Sequence, residues 1–181
     1  MKITLTGIPD VLVIEPQVFA DERGFFFESF NERTFQQETG ITAHFVQDNH
    51  SRSVKNSVRG LHYQVVQPQA KLVRVTDGEV MDVVVDIRRC SPTFGEWVSV
   101  RLSAENKKMV WCPVGFAHGF AVLSEHANFL YKTSDYWAPQ HERTILWNDP
   151  DIGIEWLIEG DPILAPKDKL GRRFVEAEVF D

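Results

Sequence analysis

Short stretches in which apolar and polar residues alternate run through most of the chain, and they predict β-strands. Residues 71–76 alternate in this way, Asp77-Gly78 is a pair typical of a tight hairpin, and residues 79–87 supply the returning strand. Further strands are predicted over residues 11–16, 24–30, 45–50, 57–65, 97–102, 109–112, 119–123 and 128–134. Many short strands at similar intervals indicate an antiparallel β-sandwich or barrel.

One early helix interrupts this pattern. Asn31 is a suitable N-cap, residues 32–39 follow it, and Gly40 is a suitable stop. From residue 149 to residue 181 the sequence is rich in proline, glycine and charge. We therefore expect a C-terminal extension that wraps the surface, with a short helix after Pro166.

Composition narrows the domain organisation and the possible partners. The chain has 181 residues, 43% of them hydrophobic, so we predict a single domain over residues 1–181 with a full core. A formal net charge of −7 argues against nucleic acid or an anionic membrane as the main partner. No apolar run has the length of a membrane span and the start lacks a signal-peptide pattern, which predicts a cytoplasmic protein. Cys90 and Cys112 form no CxxC pair, which argues against a disulfide framework or a thiolate zinc site.

Residues 58–64 place an arginine, a glycine and a histidine in one predicted strand. Strand alternation sends Arg59 to one face, and Gly60 and His62 to the other. Because an imidazole exchanges protons near neutral pH, an inward His62 could act as a base in a pocket. The alternative is a core histidine bonded to a backbone carbonyl.

A second stretch, residues 111–120, carries Pro113, Gly115 and His118 at a spacing that resembles the second motif of the cupins, a jelly-roll superfamily. Cupins that hold a metal also use an HxH pair in their first motif, and here Gln64 stands where the second histidine should be. Two histidines are too few for a metal site. The prediction is an all-β, cupin-like jelly-roll barrel without a metal.

Five motifs taken together resemble the dTDP-4-dehydrorhamnose 3,5-epimerase family. They lie at residues 21–28, 45–51, 59–64, 115–120 and 147–150. The resemblance implies a homodimer of jelly-roll barrels that exchange N-terminal strands, and a reaction that needs no cofactor. It also implies a small-molecule substrate, dTDP-4-dehydro-6-deoxyglucose, and a role in making dTDP-L-rhamnose.

The resemblance assigns four residues to the chemistry. The 4-keto group acidifies the hydrogens on carbons 3 and 5, so inversion needs a base, a group that stabilises the enolate oxygen, and an acid on the opposite face. By their match to the family, His62 is the base and Asp168 orients it, while Lys71 meets the enolate oxygen and Tyr131 returns the proton. Without the resemblance, Asp168 would be a solvated tail residue, Lys71 an outward strand lysine and Tyr131 a packing aromatic.

The resemblance also implies the substrate contacts. Arginine forks suit diphosphate oxygens, and Arg23 and Arg59 are the candidates, with Lys167 close by. Trp137 takes the position where the family stacks an aromatic ring on thymine. The other implied contacts are Glu28, Gln47, Asp48, Asn49, Lys71, His118 and Glu142. Because Arg23 and Glu28 lie on the strands that the family exchanges, they would serve the partner's pocket.

Two other functions stay open on the sequence alone. A relative that inverts only carbon 3 or only carbon 5 would use the same four residues. A non-catalytic cupin-fold module that binds a nucleotide sugar would keep Arg23, Arg59 and Trp137. It would not need His62, Asp168 and Tyr131 together.

Overall fold

The computed structural model describes all 181 residues and consists of two antiparallel β-sheets, a separate hairpin and two α-helices. The strands are β1 (Lys2–Leu5), β2 (Leu12–Glu15), β3 (Phe19–Asp21), β4 (Gly24–Phe26), β5 (Gln47–Val54), β6 (Val58–Gln64), β7 (Lys71–Asp77), β8 (Glu79–Asp86), β9 (Trp97–Ser103), β10 (Met109–Cys112), β11 (Phe116–Val122), β12 (His126–Thr133) and β13 (Glu142–Thr144). The six-stranded sheet has the order β1-β2-β10-β7-β12-β5, and the five-stranded sheet has the order β13-β6-β11-β8-β9. Strands β3 and β4 form the hairpin. The all-β jelly-roll prediction is confirmed.

Apolar side chains fill the space between the two sheets. Val73 and Phe129 from the six-stranded sheet and Leu102 and Phe120 from the five-stranded sheet belong to one buried cluster. The rings of Phe120 and Phe129 stack with their centroids 4.1 Å apart. Burying a side chain of this size stabilises the fold by about 1.5–3 kcal/mol. Where β7 begins and β12 ends, polar side chains replace this apolar layer and line a cavity.

Helix α1 (Glu32–Thr39) confirms the predicted helix and its caps. The side chain of Asn31 accepts a hydrogen bond from the backbone N–H of Thr34, and Gly40 has a φ of 72°. Phe35 is the buried residue of the helix and packs against Trp111 with the ring centroids 5.5 Å apart. The helix therefore covers the outer face of the six-stranded sheet.

Residues 149–181 run over the outer face of the five-stranded sheet, where Ile152, Trp156 and Phe174 join a second apolar cluster. The predicted short helix is present as α2 (Pro166–Lys169). Backbone hydrogen bonds hold the chain on both sides of α2, from Val58 N–H to the carbonyl of Ile163 (3.1 Å) and from Leu146 N–H to the carbonyl of Arg172 (2.8 Å). The position of α2 is therefore fixed by the sheet beneath it.

Several short strands escape the alternation pattern. Strands β3 and β13 have three residues each, which is too short for an alternation pattern. Strand β13 pairs with the sequence-distant strand β6, whereas β3 pairs with β4 across a tight turn. The strand predicted over residues 24–30 ends at Phe26, and Phe30 instead packs edge-on against Phe45. No helix of the chain has the length and apolar character needed to cross a lipid bilayer.

Candidate active site

A cavity of about 370 Å³ opens between the two sheets at the polar end of the barrel. It brings together most of the residues that the sequence singled out, although they come from seven separate elements and one loop. They are Gln47, Asn49, Arg59, His62, Lys71, His118, Tyr131, Trp137, Glu142, Lys167 and Asp168.

A β-bulge in β6 places Arg59 and His62 on the same side of the strand. In the pairing with β11, His62 lies opposite His118 but Arg59 lies opposite Phe120, so β6 has one residue more than its partner over this interval. The prediction that Arg59 and His62 face opposite ways was wrong because it assumed unbroken alternation. Gly60 allows the bulge, since its φ is 132° and an added Cβ would lie 2.5 Å from Cα of Gly119.

His62 and Asp168 form a close pair, with 2.5 Å between Nε2 and Oδ1. Asp168 is only 1% exposed, so α2 delivers a buried carboxylate where the sequence alone suggested a solvated one. Burial lowers the pKa of His62 below its usual value of 6.5, although the hydrogen bond that the ring donates to Asp168 offsets part of this effect. The ring is therefore neutral at pH 7. With Nε2–H donated to Asp168, the other ring nitrogen, Nδ1, is left free to accept a proton.

Lys71 lies in the wall beside this pair. It is 9% exposed, and its Nζ donates to the backbone carbonyl of His62 at 3.3 Å. Burial lowers the pKa of Lys71, while the neighbouring groups of Cys112, Glu142 and Asp82 act in the opposite direction. A buried ammonium with one backbone acceptor can still bind an anionic oxygen in the cavity.

Tyr131 faces His62 from the opposite sheet. It is on β12, in register with Asn49 on β5 and Val73 on β7, whereas His62 is on the five-stranded sheet. Burial raises the pKa of the Tyr131 phenol, so the hydroxyl keeps its proton at neutral pH. The cavity thus has a neutral imidazole on one wall and a protonated phenol on the other.

Positive charge and an exposed aromatic ring mark the mouth of the cavity. Nζ of Lys167 lies 3.0 Å from both carboxylate oxygens of Glu142, and Nε of Arg59 donates to Oγ of Ser53 at 2.9 Å. Trp137 is 58% exposed, although its backbone N–H is held by the side chain of Gln47 at 3.1 Å. Arg59, Lys71 and Lys167 therefore form a local group of cations in a chain of net charge −7.

Three predicted binding residues do not reach this cavity. Arg23 is exposed in the β3-β4 hairpin and pairs with Asp21, and Glu28 accepts a hydrogen bond from Asn31 at 3.1 Å. Asp48 points to the outer face of the sheet, where it binds Nζ of Lys132 at 2.9 Å. Strand alternation puts its neighbours Gln47 and Asn49 inside and Asp48 outside. This orientation does not agree with a contact between the Asp48 side chain and a substrate in the same barrel.

Sequence reasoning missed two polar residues that support the cavity. Asp82 is 1% exposed within the apolar strand β8 and lies 2.9 Å from Nε2 of His118. Gln64 accepts from the backbone N–H of Ala138 at 2.8 Å and so holds the loop of Trp137. The sequence did contain a signal for Asp82, because a single aspartate within an apolar strand is unusual. No cluster of three or more His, Cys, Asp or Glu side chains is arranged to hold a metal ion.

The fold and the cavity define a class of protein, the cupin-like jelly rolls that enclose a polar site within the barrel. Comparison with known proteins narrows the class. The sequence model of the family described as dTDP-4-dehydrorhamnose 3,5-epimerase matches residues 5–176. The chain belongs to this family.

Individual relatives agree with this assignment over nearly the full length. A dTDP-4-dehydrorhamnose 3,5-epimerase of Pseudomonas aeruginosa is 60% identical over 180 residues, which cover 99% of either chain. The crystal structure of a dTDP-6-deoxy-D-glucose-3,5-epimerase from Legionella pneumophila, in complex with dTDP-4-keto-L-rhamnose, has a TM-score of 0.96 and 50% identity, covering 98% of this chain and 94% of that one. The crystal structure of a 3'-monoepimerase from Streptomyces bikiniensis, in complex with dTDP-quinovose, has a TM-score of 0.89 and 32% identity, covering 94% of this chain and 87% of that one.

Proposed function

We propose that this chain is a dTDP-4-dehydrorhamnose 3,5-epimerase, an isomerase that converts dTDP-4-dehydro-6-deoxy-α-D-glucose to dTDP-4-dehydro-β-L-rhamnose in the dTDP-L-rhamnose pathway. The observation that carries the proposal is the pairing of His62 and Asp168 at 2.5 Å in a cavity that Tyr131 lines from the other sheet. The family assignment and the identity of 60% to a relative of that name support the substrate.

The base half of the reaction uses His62 and Lys71. Nδ1 of His62 takes the hydrogen of a carbon beside the 4-keto group as a proton, and the electron pair of that C–H bond moves onto the keto oxygen. The resulting enolate oxygen is stabilised by the ammonium of Lys71, which burial keeps away from competing water. Asp168 stabilises the imidazolium that forms.

The acid half uses Tyr131. Because its phenol lies on the wall opposite His62, it can protonate the same carbon from the other face and so invert it. His62 then gives up its proton and Tyr131 regains one by exchange with water. The same sequence of steps serves the second carbon beside the keto group.

The mouth of the cavity suits the dTDP part of the substrate. Arg59 and Lys167 supply positive charge for the diphosphate, and Lys167 would exchange its contact with Glu142 for a phosphate oxygen. The exposed ring of Trp137 can stack on thymine, a contact worth about 1–3 kcal/mol. Asn49, Gln47 and His118 are left for the sugar and base edges.

Solvent exchange tests the function. With the dTDP-4-keto-6-deoxy sugar in heavy water, we expect two deuterium atoms in the product, one at carbon 3 and one at carbon 5, detected by mass spectrometry and NMR. Incorporation at one carbon only would favour a single-centre epimerase, which is how the Streptomyces relative is described. No incorporation would favour a binding module and would contradict the proposal.

Replacing Tyr131 by phenylalanine separates the acid from the base. We expect Tyr131→Phe to keep deuterium exchange at a reduced rate and to lose inversion by about 10²-fold or more, because the enolate still forms but is reprotonated from the wrong face. Product stereochemistry by NMR measures the effect. The matched control is Tyr136→Phe, since Tyr136 is an exposed residue outside the cavity. Wild-type inversion by Tyr131→Phe would remove the phenol from the mechanism.

The homodimer with exchanged N-terminal strands remains a prediction, and we propose it for this chain. Phe25 and Phe26 in the β3-β4 hairpin are 61% and 68% exposed, and Arg23 at its turn pairs with Asp21 and does not line its own cavity. A dimer would cover these rings and bring Arg23 to the partner's cavity. Mixing Arg23→Ala protein with His62→Asn protein after joint refolding should then regain activity, because one site of the heterodimer is intact. No regain of activity would contradict the exchange.

The absence of a cofactor requirement and a cytoplasmic location also remain predictions for this chain. The first can be checked by the activity of protein that has been treated with a strong chelator and then gel-filtered to remove metal ions and dissociable organic cofactors. The second can be checked by cell fractionation.

A further inference from the structure

A second histidine–aspartate pair lies beside the first one. His118 on β11 is in register with His62 on β6, so the two imidazoles are neighbours on the same wall of the cavity. Nε2 of His118 lies 2.9 Å from Oδ2 of Asp82. The proposed reaction gives Asp82 no task.

Packing does not explain this carboxylate. Asp82 occupies an inward position of β8 between Val80 and Val84, both of which belong to the apolar cluster between the sheets. It is 1% exposed, and its Oδ1 has no hydrogen-bond partner. Burying a carboxylate with one unsatisfied oxygen costs stability, and an apolar side chain of similar volume would avoid that cost.

The carboxylate of Asp82 lies near the ammonium of Lys71. Lys71 faces the barrel interior from the six-stranded sheet and Asp82 faces it from the five-stranded sheet. The carboxylate is close enough to support the protonated form of Lys71 against the effect of burial, together with Glu142. Asp82 thus touches one residue of the cavity wall and acts through space on another.

We propose that Asp82 is a positioning residue of the epimerase site, which fixes the ring orientation and the protonated nitrogen of His118 beside His62. This inference rests on the proposed function for the identity of the sugar. With Nε2–H donated to Asp82, Nδ1 of His118 is an obligatory acceptor and can hold a sugar hydroxyl in one orientation while His62 works on the adjacent carbon. A neutral residue at position 82 would leave the His118 ring free to choose either tautomer.

The first measurement concerns the imidazole itself. In ¹⁵N-labelled protein, with His118→Gln used to assign the signal, we expect the Nε2 proton of His118 to exchange slowly in the wild type. In Asp82→Asn that proton should exchange at least about tenfold faster and shift upfield, because its partner is no longer charged. A wild-type ring protonated at Nδ1, or an Asp82→Asn spectrum equal to that of the wild type, would overturn the inference.

The second measurement is kinetic. Asp82→Asn is expected to lower kcat by about 10- to 100-fold, the scale on which the loss of an orienting outer partner acts, and to change KM by less than about threefold. In a His118→Gln background the same substitution should cost less than about twofold, because the two residues act as one unit. Val83→Ala, which shortens a buried side chain on the other face of the same strand, should lower thermal stability and leave kcat within about twofold.

The outcomes separate this inference from the proposed function. An equal loss on Asp82→Asn in both backgrounds, or a loss of kcat matched by Val83→Ala, would assign Asp82 a structural role only. If the wild-type protein does not act on the dTDP-4-keto sugar, the proposed function fails. The exchange of the His118 proton still decides whether Asp82 positions that ring.

Discussion

Replacing His62 by asparagine is expected to lower kcat by at least about 10³-fold and to abolish deuterium exchange at both carbons of the substrate. General-base catalysis contributes about 10²–10⁴-fold, and here the base is also the only side chain bonded to Asp168. Asparagine places its amide near the position of Nδ1 and leaves the residues proposed to bind the dTDP part unchanged, so substrate binding should change little. Steady-state kinetics and exchange in heavy water measure the two effects.

The matched control for this substitution is His126→Asn. His126 also pairs with an aspartate, Asp77, at 2.8 Å, but it lies outside the cavity. We expect wild-type kcat from this variant. If His62→Asn protein still exchanges deuterium at the wild-type rate, the base is another residue and the mechanism falls.

Asp168→Asn is expected to lower kcat by about 10²–10⁴-fold, because the imidazolium loses the carboxylate that stabilises it. Asp161→Asn is the matched control, since Asp161 is an exposed residue of the same tail. It should retain full activity. Full activity of Asp168→Asn itself would show that the pair is not part of the chemistry.

The pH dependence of Asp168→Asn gives a second, independent readout. A base must be unprotonated, so kcat/KM falls as the pH drops through the pKa of His62. Burial already lowers that pKa, and Asp168 partly raises it again. Without the carboxylate the pKa of His62 should fall further, so the acid limb of kcat/KM moves to lower pH. A move to higher pH would contradict the assignment of His62 as the base.

The larger part of the fold follows from the alternation pattern. The capped helix α1 was predictable because local chemistry decides it: Asn31 begins the helix and Gly40 ends it. The two strands on either side of Asp77-Gly78 were also predictable, but the hairpin expected between them was wrong. Strand β7 belongs to the six-stranded sheet and β8 to the five-stranded sheet, so the chain crosses from one sheet to the other at Gly78. Strands β3 and β13 were not predictable in this way. Each has only three residues, which is too short for an alternation pattern, and β13 depends on pairing with β6, a strand far away in the sequence.

The site shows the same division between local and long-range causes. Gly60 within a strand was a signal for the bulge that turns Arg59 towards His62, but the direction of the turn depends on Gly119 in the next strand. The burial of Asp168 could not be read from its charged surroundings in the tail, because contacts with a distant sheet create it. Asp82 shows the reverse case, in which the local pattern marked a residue whose partner only the fold supplies.

The docking of residues 163–174 on the barrel affects the order in which binding and catalysis are regained during folding. The imidazole of His62 and the carboxylate of Asp168 are 106 positions apart, and the segment that carries the carboxylate is held by backbone contacts at Ile163 and Arg172. A barrel that has folded but has not yet received this segment already presents Arg59 and Trp137 to a nucleotide. Such a species would bind the nucleotide but would not catalyse the reaction. Nucleotide affinity and kcat would therefore report two different stages of folding.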